Sequence, residues 1–274
     1  MTKAEARREF TVMAGRGEGG IELDRAALLL AAEEYAHLDV GQYLARLDSF
    51  AARVADAGAP RDRLFGLNDY LFRELGFKGN VEDYFDARNS FLNDVIDRRT
   101  GIPITLSVIY IEVARRVGLR VEGVGMPGHF VVRYRDGEGD LFIDPFGGGR
   151  VIGEDECRGE VAELYGAAMP FRKSFLDPVS KRQILTRMLQ NLKGVYLRAA
   201  AYHQALGVIE RVLLLTPDAA AEVRDRGLAL AGLGRDAAAL ADLENYLRRR
   251  PGAADAGMIA ERVAEVRERQ ARLN

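Results

Sequence analysis

A chain of 274 residues has room for one large domain or two of ordinary size, and 48% hydrophobic with 29% charged residues is the balance of a soluble globular protein. The formal net charge of −2 gives no electrostatic case for nucleic acid or an anionic membrane as partner. A single cysteine, Cys157, excludes an intrachain disulfide and suits a reducing compartment. The opening residues carry acidic side chains and no apolar run, unlike a secretory leader. The longest apolar runs, such as 26–32, are too short to span a bilayer. A cytoplasmic protein is expected.

Residues 1–20 are charged and then glycine-rich, and read as a tail. An Ala/Leu-rich helix follows over 25–35, with Asp24 as its expected cap. Tyr43, Leu44, Leu47, Phe50, Ala51 and Val54 recur at three and four, which predicts an amphipathic second helix. A third runs over 61–75 and stops at Gly76. Residues 76–101 are polar and rich in Asn, a residue that mimics backbone turns. Two readings stand there. Asn80, Asn89 and Asn93 either tie a loop and short helix together or face a ligand.

The run 102–117 is apolar nearly all round, which places a helix at the centre of its domain. Thr100 is its expected N-cap, and Pro103 falls in the first turn, where a missing N–H costs nothing. Segments 121–124, 130–134, 141–143 and 150–152 read as consecutive strands, hence an antiparallel sheet packed on that helix in an α+β arrangement. Gly147-Gly148-Gly149 lacks any phosphate-loop spacing and reads as a turn. Cys157 is expected in an acidic loop, which disfavours its thiolate.

Beyond Pro178 the pattern is helical only. Pro217 and Pro251 stand 34 residues apart, as do Ala205 and Ala239. That interval is the period of the tetratricopeptide repeat. It places Leu189, Leu192, Tyr196, Ala205, Ile209 and Val212 at the signature sites of one copy, and Val223, Gly227, Leu230, Ala239, Leu243 and Tyr246 at those of a second. A charged amphipathic helix over 255–273 would cover the end of the stack. The expected division is a tail over 1–20, an α+β domain over 21–178 and helical repeats over 179–274.

Gly76-Phe-Lys-Gly-Asn80, Tyr84, Arg88-Asn-Ser90, Asn93, Arg98-Arg-Thr-Gly-Ile-Pro103, Pro127-Gly-His-Phe130 and Ile143-Asp-Pro-Phe146 together resemble the SirB-type family. These are bacterial proteins with a transglutaminase-like (papain-like) domain followed by tetratricopeptide repeats. The wider superfamily places a cysteine at the head of the central helix, a histidine on the next strand and an aspartate on the one after. Counted back from Gly118, the cysteine position is Pro103; His129 and Asp144 match the other two. Proline has no nucleophilic side chain, so the resemblance implies a vestigial site of Pro103, His129 and Asp144.

Two functions from different classes follow. One is a non-catalytic scaffold or regulator that binds a protein or peptide through its helical repeats. The other is a hydrolase or acyltransferase that uses Ser107, one turn further along the helix, with His129 and Asp144. A third possibility is that the Asn-rich rim and His129 hold a small molecule without turning it over. His37 and His203 read as incidental, and no His/Cys/Glu cluster has metal-ligand spacing, so neither a metal nor a cofactor is expected.

Overall fold

A computed structural model describes residues 1–55 and 58–273; Asp56, Ala57 and Asn274, which fall inside the expected domains, lie outside the described residues. The chain divides into two compact units, Met1–Met188 and Leu189–Asn274.

The first unit begins with three helices, α1 (Lys3–Ala14), α2 (Leu23–Ala32) and α3 (Val40–Ala52). α4 (Pro60–Asp69) continues into a π-helical turn over Tyr70–Glu74. A short strand β1 (Lys78–Gly79), a helix α5 (Leu92–Arg98) and a second short strand β2 (Thr100–Gly101) lead to α6 (Pro103–Arg116). β1 and β2 pair in parallel. Then come β3 (Val121–Val124), β4 (Val131–Asp136), β5 (Gly139–Asp144) and β6 (Arg150–Ile152), followed by α7 (Glu154–Tyr165) and α8 (Lys181–Arg198). The four strands form one antiparallel sheet in the order β3-β4-β5-β6. The unit is α+β.

α6 is the centre of this unit. It packs against α2, α3, β3 and β4, and Ile104, Leu106, Val108, Ile109, Tyr110, Val113 and Ala114 are all buried on it. Apolar residues on every side make such a helix stable only in an interior. Its start is set by Pro103 at the first helical position and by the Thr105 hydroxyl, which accepts from the Ile102 N–H at 3.2 Å and donates to the Asn89 carbonyl at 2.8 Å. Thr100, expected as the cap, lies in β2 instead. Gly101 is required here, because a Cβ would come within 2.8 Å of Val95 and 2.9 Å of the Thr105 hydroxyl.

Other local expectations are corrected. Residues 1–20 are not a charged tail: Thr2 and Glu5 close a capping box over α1, and Ala6, Phe10, Met13 and Ala14 bury its apolar side. The helix period there was masked by charge. Asp24 does not cap α2. It lies in the first turn, buried, and accepts from Arg116 at 2.6 Å. Cys157 lies within helix α7, whose first turn carries Glu154, Asp155 and Glu156, an acidic set that suits a helix N-terminus. α8 begins before the division of the units, because its first turns pack into the α+β unit. There Ile184 lies against Gly123, and Arg187 bonds to the Met126 and His129 carbonyls. The expected boundary at 178 thus marks a loop ahead of α8, and the observed division follows Met188.

The second unit contains the rest of α8 and then α9 (Tyr202–Leu215), α10 (Ala220–Gly232), α11 (Asp236–Arg249) and α12 (Ala256–Leu273). Each signature position named from the 34-residue spacing is buried. Pro217 and Pro251 follow the ends of α9 and α11, where they stop the helix without breaking a hydrogen bond. Gly227 allows α10 and α11 to approach closely, since a Cβ there would lie 2.8 Å from Leu243. α12 packs on α11 and buries Ile259, Val263 and Val266.

Candidate functional site

His129 is not within a strand. It ends the turn Met126–His129, closed by its own N–H on the Met126 carbonyl at 3.3 Å, with Gly128 at φ +75°. β4 begins two residues later. Asp144 is the last residue of β5. The β4–β5 register pairs Val132 with Ile143, so the residues just outside that pairing meet at one end of the sheet. There His129 Nε2 lies 3.0 Å from Asp144 Oδ1.

The turn after β5 is shaped around this carboxylate. Asp144 Oδ1 also accepts the Phe146 N–H at 3.0 Å, and the Gly149 N–H donates to the Asp144 carbonyl at 2.8 Å. A Cβ at Gly147 would sit 2.5 Å from Asp144 Oδ2, so the carboxylate requires a glycine there. Gly148 and Gly149 adopt positive φ. The three glycines are a turn, as their sequence indicated, and their further role is to seat Asp144.

Burial pushes the Asp144 carboxyl upward, but the hydrogen bond and charge of His129, the Gly147 N–H and Arg150 outweigh it and hold the group below the ordinary aspartate range. Phe146 stands edge-on to the imidazole, ring centres 6.2 Å apart. Nδ1 of His129 has no hydrogen-bond partner among the described residues, which leaves it as the nitrogen able to bond a ligand. Sequence reasoning missed two neighbours. Arg150 reaches Glu160 at 2.9 Å and Asp144 at 3.9 Å. Glu160 is raised by burial, with His129 and Arg150 opposing that shift and Asp144 adding to it.

Pro103 is buried at the head of α6. Ser107 is fully buried, and its hydroxyl bonds neither His129 nor any other described group. Cys157 is also fully buried, and burial, Glu160 and Glu156 push its thiol up to about 12. Asn89 is buried and its amide holds the Asp83 and Tyr84 carbonyls at 2.7 and 3.3 Å, while its oxygen accepts from Asn80 at 3.0 Å. Asn93 is buried on α5. The Asn80 and Asn89 amides brace the segment, whereas the Asn93 Oδ1 is buried without a hydrogen-bond partner among the described residues; Asn80 in addition lines a cavity of about 360 Å³ with Lys78, Asp83, Arg88 and Arg98. Among the described residues, no group of three or more His, Cys, Asp or Glu is placed to hold a metal, and no helix is long and apolar enough to cross a membrane.

A buried central helix against an antiparallel sheet that presents a His–Asp pair, joined to paired helices of 34-residue period, defines a transglutaminase-like domain with tetratricopeptide repeats. Family models agree: residues 41–190 match the transglutaminase-like superfamily and 192–264 the tetratricopeptide repeat. The chain is 39% identical over 246 residues to a UPF0162 protein of Xylella fastidiosa (strain Temecula1 / ATCC 700964), covering 87% of this chain and 88% of that one. It is 27% identical to a UPF0162 protein of Vibrio cholerae, over 85% and 86% of the two chains. F-box only protein 21 of Mus musculus is 34% identical over 166 residues, 57% of this chain and 26% of that one. No solved structure matches the chain significantly. The chain belongs to the UPF0162, or SirB-type, family.

Proposed function

We propose that this protein is a non-catalytic member of the transglutaminase-like superfamily that acts as an interaction scaffold or regulator in the cytoplasm. The observation that carries this reading is the composition of the site. The His129–Asp144 pair is intact at 3.0 Å, yet Pro103 stands at the head of α6 and both nearby alternatives, Ser107 and Cys157, are sealed from solvent. An acyl-enzyme route needs a nucleophile that a substrate carbonyl can reach. The hydrogen bond persists here as satisfaction of two partly buried polar groups. Helical repeats of the kind in the second unit commonly present a surface to another protein or peptide, and that is the role assigned to them here.

The experiment is covalent profiling of the full chain with serine- and cysteine-directed acyl probes, beside His129→Ala and Ser107→Ala. No labelling by either probe class, in any of the three proteins, is the expected result. Labelling at Ser107 that disappears in both variants would establish the rival reading, a hydrolase or acyltransferase built on Ser107, His129 and Asp144.

A further inference from the structure

Arg187 is a cation without a counter-ion among the described residues. It enters the α+β unit from the first turns of α8 and donates to the Met126 carbonyl at 3.1 Å and the His129 carbonyl at 2.8 Å. Its guanidinium lies over the Phe130 ring, 5.5 Å from the centre. No carboxylate lies within ion-pair reach of it among the described residues. Burial pushes this guanidinium below the usual arginine range, and the groups that oppose the shift are the Tyr84 and Tyr165 phenols. A buried, desolvated charge is costly unless a partner of opposite sign meets it.

Both phenols lie near the turn that carries His129. Tyr84 packs edge-on to Phe146, ring centres 6.1 Å apart, and Phe146 packs edge-on to His129. On the other side, the Tyr165 hydroxyl lies 3.5 Å from where a Cβ of Gly128 would be, and Leu164 is closer still. Neither phenol hydroxyl has a hydrogen-bond partner among the described residues, and the rings are 39% and 38% exposed. Phe85 and Leu164, 57% and 59% exposed, extend an apolar wall on each side. Large apolar side chains left in solvent around a polar centre mark a binding cleft.

We propose that Arg187, Tyr84 and Tyr165 form a carboxylate-binding subsite beside His129, and that its ligand places an aromatic or aliphatic group against Phe146, Phe85 and Leu164. One fixed positive charge flanked by two neutral O–H donors suits a planar monoanion. The proposal rests on the non-catalytic reading of this domain.

The carboxylate belongs either to a chain terminus or to an acidic side chain, and the probes separate these. Calorimetric titration of the full chain compares N-acetyl-phenylalanine, its amide, and N-acetyl-aspartyl-phenylalanine amide. Ligand size sets an expected dissociation constant of about 1 mM for an acid that binds. Preference for N-acetyl-phenylalanine over its amide assigns a terminal carboxylate; binding of only the aspartyl probe assigns a side chain. The double variant Tyr84→Phe with Tyr165→Phe removes two surface hydroxyls and is expected to weaken acid binding by about ten-fold or more, with no effect on the amide. Arg187→Gln is expected to abolish the acid preference. Equal binding of acid and amide, no binding of either acid, or an unchanged affinity in the double variant would overturn the subsite. Failure of the non-catalytic reading is distinguishable, because it registers as probe labelling of Ser107 and leaves acid-over-amide selectivity intact.

Discussion

Replacing Ser107 with alanine is expected to stabilise the protein. Ser107 is fully buried on α6 between Leu106 and Val108, and its hydroxyl has no partner among the described residues. An unpaired buried hydroxyl costs about 1–3 kcal/mol. Alanine removes that penalty and keeps the Cβ, so the packing lost is that of one oxygen atom. The net gain is about 1 kcal/mol, or a rise in Tm of about 2–4 °C for a unit of this size. Denaturant unfolding followed by circular dichroism reads this as a higher midpoint at unchanged slope. A drop in stability of 1 kcal/mol or more would refute the reasoning, since it would mean the hydroxyl is bonded, for example to the Pro103 carbonyl one turn back. Loss of a measurable activity in the same variant would refute it differently, by making Ser107 the nucleophile.

Pro103→Cys places a thiol at the first position of α6, where the helix dipole lowers a thiol's pKa. Iodoacetamide is expected to label this residue faster than native Cys157, whose thiol is pushed up to about 12. Labelling that does not slow on adding His129→Ala would show that the imidazole does not face that seat. Asp144 has its pKa held below the ordinary value, so its contribution to stability is full above the unfolded-state pKa of about 3.9 and is lost as pH falls through the lower folded value. Asp144→Asn should remove this part of the acid-side slope in unfolding curves taken from pH 6 to pH 2; an unchanged slope would contradict the assignment. Leu243→Ala opens a cavity in the fully buried packing against Gly227 and should cost about 2–5 kcal/mol. A loss below 1 kcal/mol, measured as a midpoint shift, would argue against this packing of the second unit.

The central helix was legible because burial on all sides leaves an unbroken apolar run, and the repeats because a stacked unit repeats its buried positions at a fixed interval. The His–Asp pair was found through the family resemblance of the motifs that carry it. The helix α1 was not, because its charged face outnumbers Ala6, Phe10 and Met13 and the glycines after it suggested a tail. Asp24 and Thr100 are residue types that favour helix caps. Tertiary partners decided otherwise, Asp24 pairing with Arg116 and Thr100 joining β1 through β2.

Periodicity and residue order therefore determined the two kinds of domain and the α+β class, and the family resemblance supplied Pro103, His129 and Asp144 as the expected site. These are properties of one chain read in one dimension. The tertiary structure decided what surrounds the site: that Ser107 and Cys157 are closed to solvent, that Gly147 makes room for Asp144, and that Arg187, far along the sequence, arrives beside His129 without a counter-ion among the described residues. Burial and charge pairing depend on which distant segments pack together, and local pattern carries no record of that.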